Sequence, residues 1–129
     1  MPPKESSYPG DWLSLAEKDL ARVRRSLRDR DPELAAFCLQ QAVEKFLKAF
    51  LLSKGWKLRR IHDLEALLDD ATAHDASLDQ FREVCQKITN YYVAERYPLA
   101  VEAGLTEEEV QASLKAAQRL IEKIRRGMR

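Results

Sequence analysis

The sequence predicts an all-α fold: an antiparallel up-and-down bundle of four principal helices plus a short one. Three observations carry this. Apolar residues recur at three- and four-residue spacing along most of the chain, which is the helical period. Glycine and proline are scarce, at 4 and 5 in 129 residues, and they gather at junctions between the periodic stretches. No stretch reads as a strand, and the short connection before Pro32 makes the first two helices antiparallel neighbours, while residues 94–105 form a longer connection containing Gly104.

Composition sets the outer limits. Hydrophobic residues at 45% and charged residues at 33% are those of a globular domain rather than a disordered chain. The length suits one domain, and no repeat occurs at solenoid spacing. A net charge of +1 gives no global attraction for nucleic acid, so such binding requires a local patch. Cys38 and Cys85 fall on apolar stripes, with no companions at zinc-site or disulfide-framework spacing, and are expected as buried thiols. His62 and His74 have no metal-site spacing, and neither a metal nor another cofactor is expected. There is no signal-peptide core and no apolar run long enough to span a bilayer, so the expected location is the cytoplasm.

Residues 1–10, with Pro2, Pro3, Pro9 and Gly10, read as a flexible tail before a single domain at 11–129. Asp11 is the expected cap of a first helix with Trp12, Ala16, Leu20, Val23 and Leu27 on its inner face. Its basic face, with Lys18, Arg22, Arg25 and Arg28, reads as solvated surface or as a nucleic-acid footprint. Asp31 can cap the next helix, with Pro32 at its first position and Glu33 in its first turn. Gly55 suits the left-handed residue that closes it.

This second helix is the anomaly. Wound at ~100° per residue, Leu39, Ala42, Val43, Phe46, Leu47, Ala49 and Phe50 fill a broad apolar arc. Gln40, Gln41, Glu44, Lys45 and Lys48 form a polar island opposite, bounded by Phe37, Leu51 and Leu52. A surface helix is polar along its whole back. An island enclosed by apolar residues implies a central, mostly covered helix whose polar groups face a cleft or a second copy. Glu44 and Lys48, four apart, also suit a simple surface pair.

A basic loop follows, with Lys57, Arg59, Arg60 and His62, and offers the best local phosphate patch. Asp63 can cap a short third helix carrying Leu64, Leu67, Leu68 and Ala71 inward. Ser77 with Gln80 reads as the capping box of a fourth helix bearing Leu78, Phe81, Cys85, Ile88 and Tyr92, with Val84 and Tyr91 beside them. Tyr97-Pro98 breaks that pattern. Thr106 with Glu109 marks the last helix, with Val110, Leu114, Ala117, Ile121 and Ile124 inward and Lys123, Arg125 and Arg126 at its carboxyl end.

Arg96 beside an extended Tyr97-Pro98 is placed to project into a cleft, where Arg holds phosphate and Tyr stacks on a base. It also reads as bundle closure. His62 is a candidate general base or hydrogen-bonding contact, and equally a solvated loop histidine. There is no Gly-rich phosphate loop, nucleophile elbow or paired-carboxylate motif.

Taken together, W-L-S-L-A-E-K-D-L in the first helix, Q-Q-A-V-E-K-F-L-K-A-F-L in the second, H-D-L at His62–Leu64 and E-R-Y-P at Glu95–Pro98 resemble the HEPN family of small prokaryotic helical domains. The resemblance runs from about Trp12 to Ile124. It implies a homodimer with a cleft between subunits, and in many members a minimal nucleotidyltransferase as partner protein, in some pairs as toxin and antitoxin. Gln41, Lys45, Lys48, Lys57, Arg59, His62, Arg96 and Tyr97 are the expected nucleotide- or RNA-binding set, with His62 and Arg96 as the candidate catalytic pair of a ribonuclease. The ribonuclease branch carries Arg four to six residues before His. Here His62 has Lys57, Trp56 and Gly55 at those positions, and His74 has Asp69, Leu68 and Leu67. The expectation is therefore a binding module rather than an RNA-cleaving enzyme, with a purely structural dimerisation module as the further alternative.

Overall fold

The computed structural model describes residues 6–96 and 104–129, with side chains over 6–91 and 104–129. Its helices are α1 (Pro9–Arg28), α2 (Pro32–Ser53), α3 (Leu64–Thr72), α4 (Arg82–Arg96) and α5 (Glu107–Gly127). A 3₁₀ helix, Ala76–Phe81, leads into α4. They form the antiparallel bundle expected, with α2 at its centre, touching α1, α3, α4 and α5.

Local chemistry explains most helix ends. Asp31 accepts from the Leu34 N–H and caps α2, with Pro32 in the first turn. Gly55, at φ 86°, then reverses the chain. Its N–H reaches Leu52 O at 3.1 Å and the Trp56 N–H reaches Leu51 O at 3.0 Å, the paired bonds of a Schellman closure. Asp63 caps α3 through the Glu65 N–H, and Thr89 of α4 accepts from the Leu64 N–H. Thr106 caps α5 through the Glu109 N–H.

Two ends differ from expectation. The first helix starts at Pro9, not after Asp11, with Tyr8 at the cap position in extended angles. Pro9 has its φ already set for a helix and lacks only an N–H that would be orphaned there. Asp11 instead sits in the first turn, where it complements the dipole and accepts from the Ser6 hydroxyl at 2.6 Å. Ser77 and Gln80 form no capping box. Asp75 accepts from both the Ser77 N–H and its hydroxyl, which commits that hydroxyl as a donor and caps a 3₁₀ turn. These bonds, the Ser77 hydroxyl first, hold the Asp75 carboxyl below the usual carboxylate range.

The α1–α2 turn stores strain. Its closing bonds run from the Arg30 N–H to Leu27 O and from the Asp31 N–H to Ser26 O, with Arg30 at φ 58° in the left-handed region. A side chain there costs about 1 kcal/mol or more. Arg30→Gly is expected to raise stability by about 1 kcal/mol in urea unfolding; a loss would show that the Arg30 side chain contributes more than its backbone costs.

The core is that of the predicted stripes. Ala16, Leu20, Val23, Leu39, Phe46, Leu47, Leu67, Leu78, Cys85, Ile88, Ile121 and Ile124 are all buried, while Leu27, Leu114 and Val84 are half-buried at its margin. Ser113 and Leu120 are buried on α5 as well. Tyr91 closes the stripe of α4, its hydroxyl 2.9 Å from Ser113 Oγ. The side chain of Tyr92 lies outside the described residues. Cys38 and Cys85 are buried thiols, and burial pushes Cys85 up to about 12, far from reactive thiolate. Among the described residues no helix is long and apolar enough to cross a membrane.

Candidate functional site

The polar island of α2 is closed over from within the chain. Gln40, Glu44 and Lys48 succeed one another at four-residue steps, and all three are buried. Glu44 is the hub. Its carboxylate accepts from Lys48 Nζ at 3.1 Å, from Gln40 Nε2 at 3.1 Å, and lies 3.1 and 3.2 Å from His62 Nδ1. The lid is the loop after α2: Gln40 Nε2 also donates to the His62 carbonyl at 3.2 Å. The loop is thus held through both its backbone and its imidazole. Leu51 and Leu52, which break through the polar side of α2, are covered by the same chain.

Lys48 is 3% exposed, its ammonium between Glu44 and the face of Trp12, 5.2 Å from the ring centroid. A phosphate reaching this lysine has to displace Glu44. The indole is fixed in turn by its N–H, which donates to Ser6 O at 2.6 Å. Lys45 is half-buried and pairs with Asp19 of α1, whose other oxygen accepts from Arg22 at 2.6 Å. Gln41, also half-buried, donates to Gln40 Oε1 at 2.6 Å. The island is therefore two adjoining ion-pair networks, one sealing α2 to the His62 loop and the other joining α2 to α1.

Asp19 was missed in the sequence, although the signal is there. It lies seven residues after Trp12 and three after Ala16, on the stripe that α1 turns inward, so a buried carboxylate needing a cation was legible. Its partner, 26 residues on, was not.

The basic loop has a second anchor. Asp70 of α3 accepts from the Trp56 indole N–H at 3.1 Å and from Arg59 at 2.9 Å. Around them lies a shallow hollow of about 450 Å³, lined by Trp56, Lys57, Arg59, Asp69, Asp70 and His74. His74, unremarkable in the sequence, is held edge-on to Phe50, 6.5 Å between ring centroids. Lys57, Arg59, Arg60 and His62 are all exposed. Nearby, Arg82 ties Asp79, Asp69 and Glu65 together, and these carboxylates, Asp79 first, hold its guanidinium still more firmly protonated. Among the described residues no group of three or more His, Cys, Asp or Glu is placed to hold a metal ion.

Of the expected binding set, then, Gln41, Lys45, Lys48 and His62 belong to the α2 networks, and Lys57 and Arg59 border the hollow. Arg96 is the last residue of α4; its side chain and Tyr97 lie outside the described residues. The Glu44–His62 contact has a chemical consequence. An ionised carboxylate only accepts, so Nδ1 carries the hydrogen and Nε2 is the basic nitrogen of the neutral ring.

The family model for the HEPN domain matches residues 10–127, nearly the whole chain. The chain belongs to the HEPN family. Two crystal structures share the bundle closely. TT1696 from Thermus thermophilus superposes with a TM-score of 0.83 at 29% identity, covering 92% of this chain and 97% of that one. ST0689, an archaeal HEPN homologue, gives 0.76 at 25% identity, covering 95% and 98%. No curated protein sequence gives a significant match.

Proposed function

We propose that this HEPN protein is a cytoplasmic, dimeric module that binds a nucleotide or single-stranded RNA through the His62 loop, as the helical partner of a minimal nucleotidyltransferase in a toxin–antitoxin type pair. One observation carries the reading: the loop from Trp56 to His62 is anchored at both ends, by Asp70 and by Gln40 and Glu44, while its cationic side chains stay exposed. A cationic surface held in place loses little entropy on capturing an anion. The adjoining hollow brings Trp56 and His74 beside Lys57 and Arg59, aromatic and cationic groups of the kind that hold a base and its phosphate. In this reading Lys57, Arg59 and His62 touch the ligand, with Arg96 and Tyr97 completing the site. Gln41 and Lys45 stay committed to Gln40 and Asp19, and Glu44, paired with Lys48, holds His62 in place.

Titration calorimetry with a nucleotide panel and short single-stranded RNAs tests it. Lys57→Ala with Arg59→Ala is expected to weaken RNA binding at least about tenfold. It should also lower the slope of log affinity against log salt by roughly 1.4, the share of two phosphate contacts. Binding unchanged in that variant would remove the basis of the proposal.

The Glu44–His62 contact favours a second reading, an RNA-cleaving enzyme, because a carboxylate that fixes the tautomer of a histidine is how a general base is oriented. It requires Arg96 as phosphate clamp in place of the missing Arg–His spacing. Metal-free cleavage of single-stranded RNA by the purified protein, abolished in His62→Ala, would establish it; intact RNA would leave the binding module.

A further inference from the structure

A second concave face shares no lining residue with the hollow at the His62 loop. Between the start of α4 and the length of α5 runs a groove of two adjoining hollows, about 440 and 310 Å³, which share Gln80, Phe81 and Arg119 in their walls. Its floor is apolar, with Phe81, Val84, Ala112 and Ala116. Lys87 stands on the α4 side, and Arg119, Lys123 and Arg126 stand along α5. They share the lining with only two carboxylates, Glu83 and Glu122, and Glu122 is already paired with Arg125 and Arg126 on its own helix. Lys123 also acts at a distance on Asp75. Among the described residues Lys87 and Arg119 have no ion-pair partner.

Shape and charge together select the occupant. Ala112 and Ala116 are about one helical turn apart and carry nothing beyond Cβ, so the backbone of another helix can approach closely there. The lining of α5 runs from Ala112 to Arg126, about 21 Å at the helical rise, the length of a helix of about four turns rather than of a small ligand. No sheet edge exists among the described residues, so an added strand has nothing to pair with. The excess of cations on the rim calls for carboxylates beside the apolar anchors of that helix.

Other occupants fit less well. A bilayer is flat and does not reach Phe81, 5% exposed on the floor. A nucleic acid would meet Glu83 and find no exposed ring to stack upon. A second copy brings little to fill the hollows. The large apolar residues that its described surface exposes, Tyr8, Leu15 and Leu34, stand singly before α1, on α1 and on α2.

We propose that the α4–α5 groove is a docking site for an acidic amphipathic helix of another protein. Branched apolar residues at its i, i+3 or i+4 and i+7 positions press onto Val84, Ala112 and Ala116, and carboxylates on its flanks meet Lys87 on one side and Arg119, Lys123 and Arg126 on the other. The site is separate from the His62 loop, so it stands whether or not that loop binds a nucleotide.

Fluorescence anisotropy with the full chain tests the proposal. The probe is a labelled synthetic peptide of about 15 residues, with leucines at helical spacing and glutamates beside them. Micromolar binding is expected, weakened at least about tenfold by Arg119→Glu, at an exposed position, and by Ala116→Arg, which fills the floor. Scrambling the same residues, or replacing the glutamates with lysines, is expected to remove it. Amide resonances should shift along 84–87 and 112–123 and not along the His62 loop, and Lys57→Ala with Arg59→Ala should bind the peptide as the parent does. Circular dichroism checks that Ala116→Arg keeps its helices; should it unfold, Arg119→Glu and the control peptides decide. No binding, or binding that ignores Arg119→Glu or the order of the peptide's residues, would overturn the proposal. So would tighter capture of phosphatidylserine vesicles or single-stranded RNA through Arg119, or light scattering in which Arg119→Glu separates two copies, since each puts a different occupant in the groove.

Discussion

Replacing Glu44 with alanine is expected to cost about 3–5 kcal/mol of folding stability, read from urea unfolding. The cause is what remains. Lys48, 3% exposed, loses the carboxylate 3.1 Å away, and the Gln40 amide and the His62 ring lose an acceptor at the same time. The Trp12 face can offset only part of this, since a ring quadrupole attracts an ammonium by about 2 kcal/mol when desolvated. Removing both charges is a different experiment. Glu44→Leu with Lys48→Met fills similar volume without a buried ion, and is expected to unfold within about 1 kcal/mol of the parent, because a buried pair is often no more stabilising than apolar residues of the same size.

The double variant separates two roles of Glu44. With stability restored, the His62 imidazole still lacks the carboxylate that orients it, so ligand affinity is expected to remain lowered. If the double variant bound RNA as the parent does, Glu44 would be only a stabilising charge. A loss below about 1 kcal/mol in Glu44→Ala would show that Lys48 escapes to solvent. The same geometry changes how Lys48→Ala is to be read. It leaves the Glu44 carboxylate buried without its cation, so lost binding in that variant reports a disturbed His62 loop before it reports a missing phosphate contact.

How much of this was legible follows from the range of each interaction. Asp31 with Pro32, Gly55, Asp63 and Thr106 act within four residues of themselves, and each performs the role read from the sequence. The failed helix starts are also local, but in competition. Two residues could begin α1, and Pro9 precedes Asp11; two could cap the segment before α4, and Asp75 engages Ser77 before Ser77 can engage anything else. The island on α2 was legible as a set of polar groups that must be paired. What closes it was not, because the partners are the His62 carbonyl and ring, 22 and 18 residues further on, and Asp19, 26 residues away from Lys45. The hollow beside Trp56 was hidden for the same reason: Asp70 and His74 reach the basic loop only when α3 folds back along it.

The second large effect is expected at Phe46. Its ring is fully buried at the centre of α2, and Phe46→Ala is expected to cost about 3–5 kcal/mol, the transfer of the ring plus the cavity it leaves. Above it sits Arg125, whose guanidinium carbon lies 5.5 Å from the ring centroid. That arginine also forks onto Glu17 of α1, with one N–H···O bond of 3.0 Å. The bond to Glu17 is the first cause that holds its guanidinium more firmly protonated than usual. Its place near the end of α5 suits the helix dipole, as the sequence suggests, but the structure adds a clasp between α1 and α5 closed over an aromatic face. A double-mutant cycle of Phe46→Ala and Arg125→Ala separates the two contributions. Coupling of about 0.5–1 kcal/mol is expected from the ring and the cation together, while most of the Phe46 loss persists in either background because it belongs to the cavity. Strictly additive losses would show that Arg125 acts through Glu17 alone. A coupling as large as the Phe46 loss itself would show that the ring serves the clasp more than it fills the core.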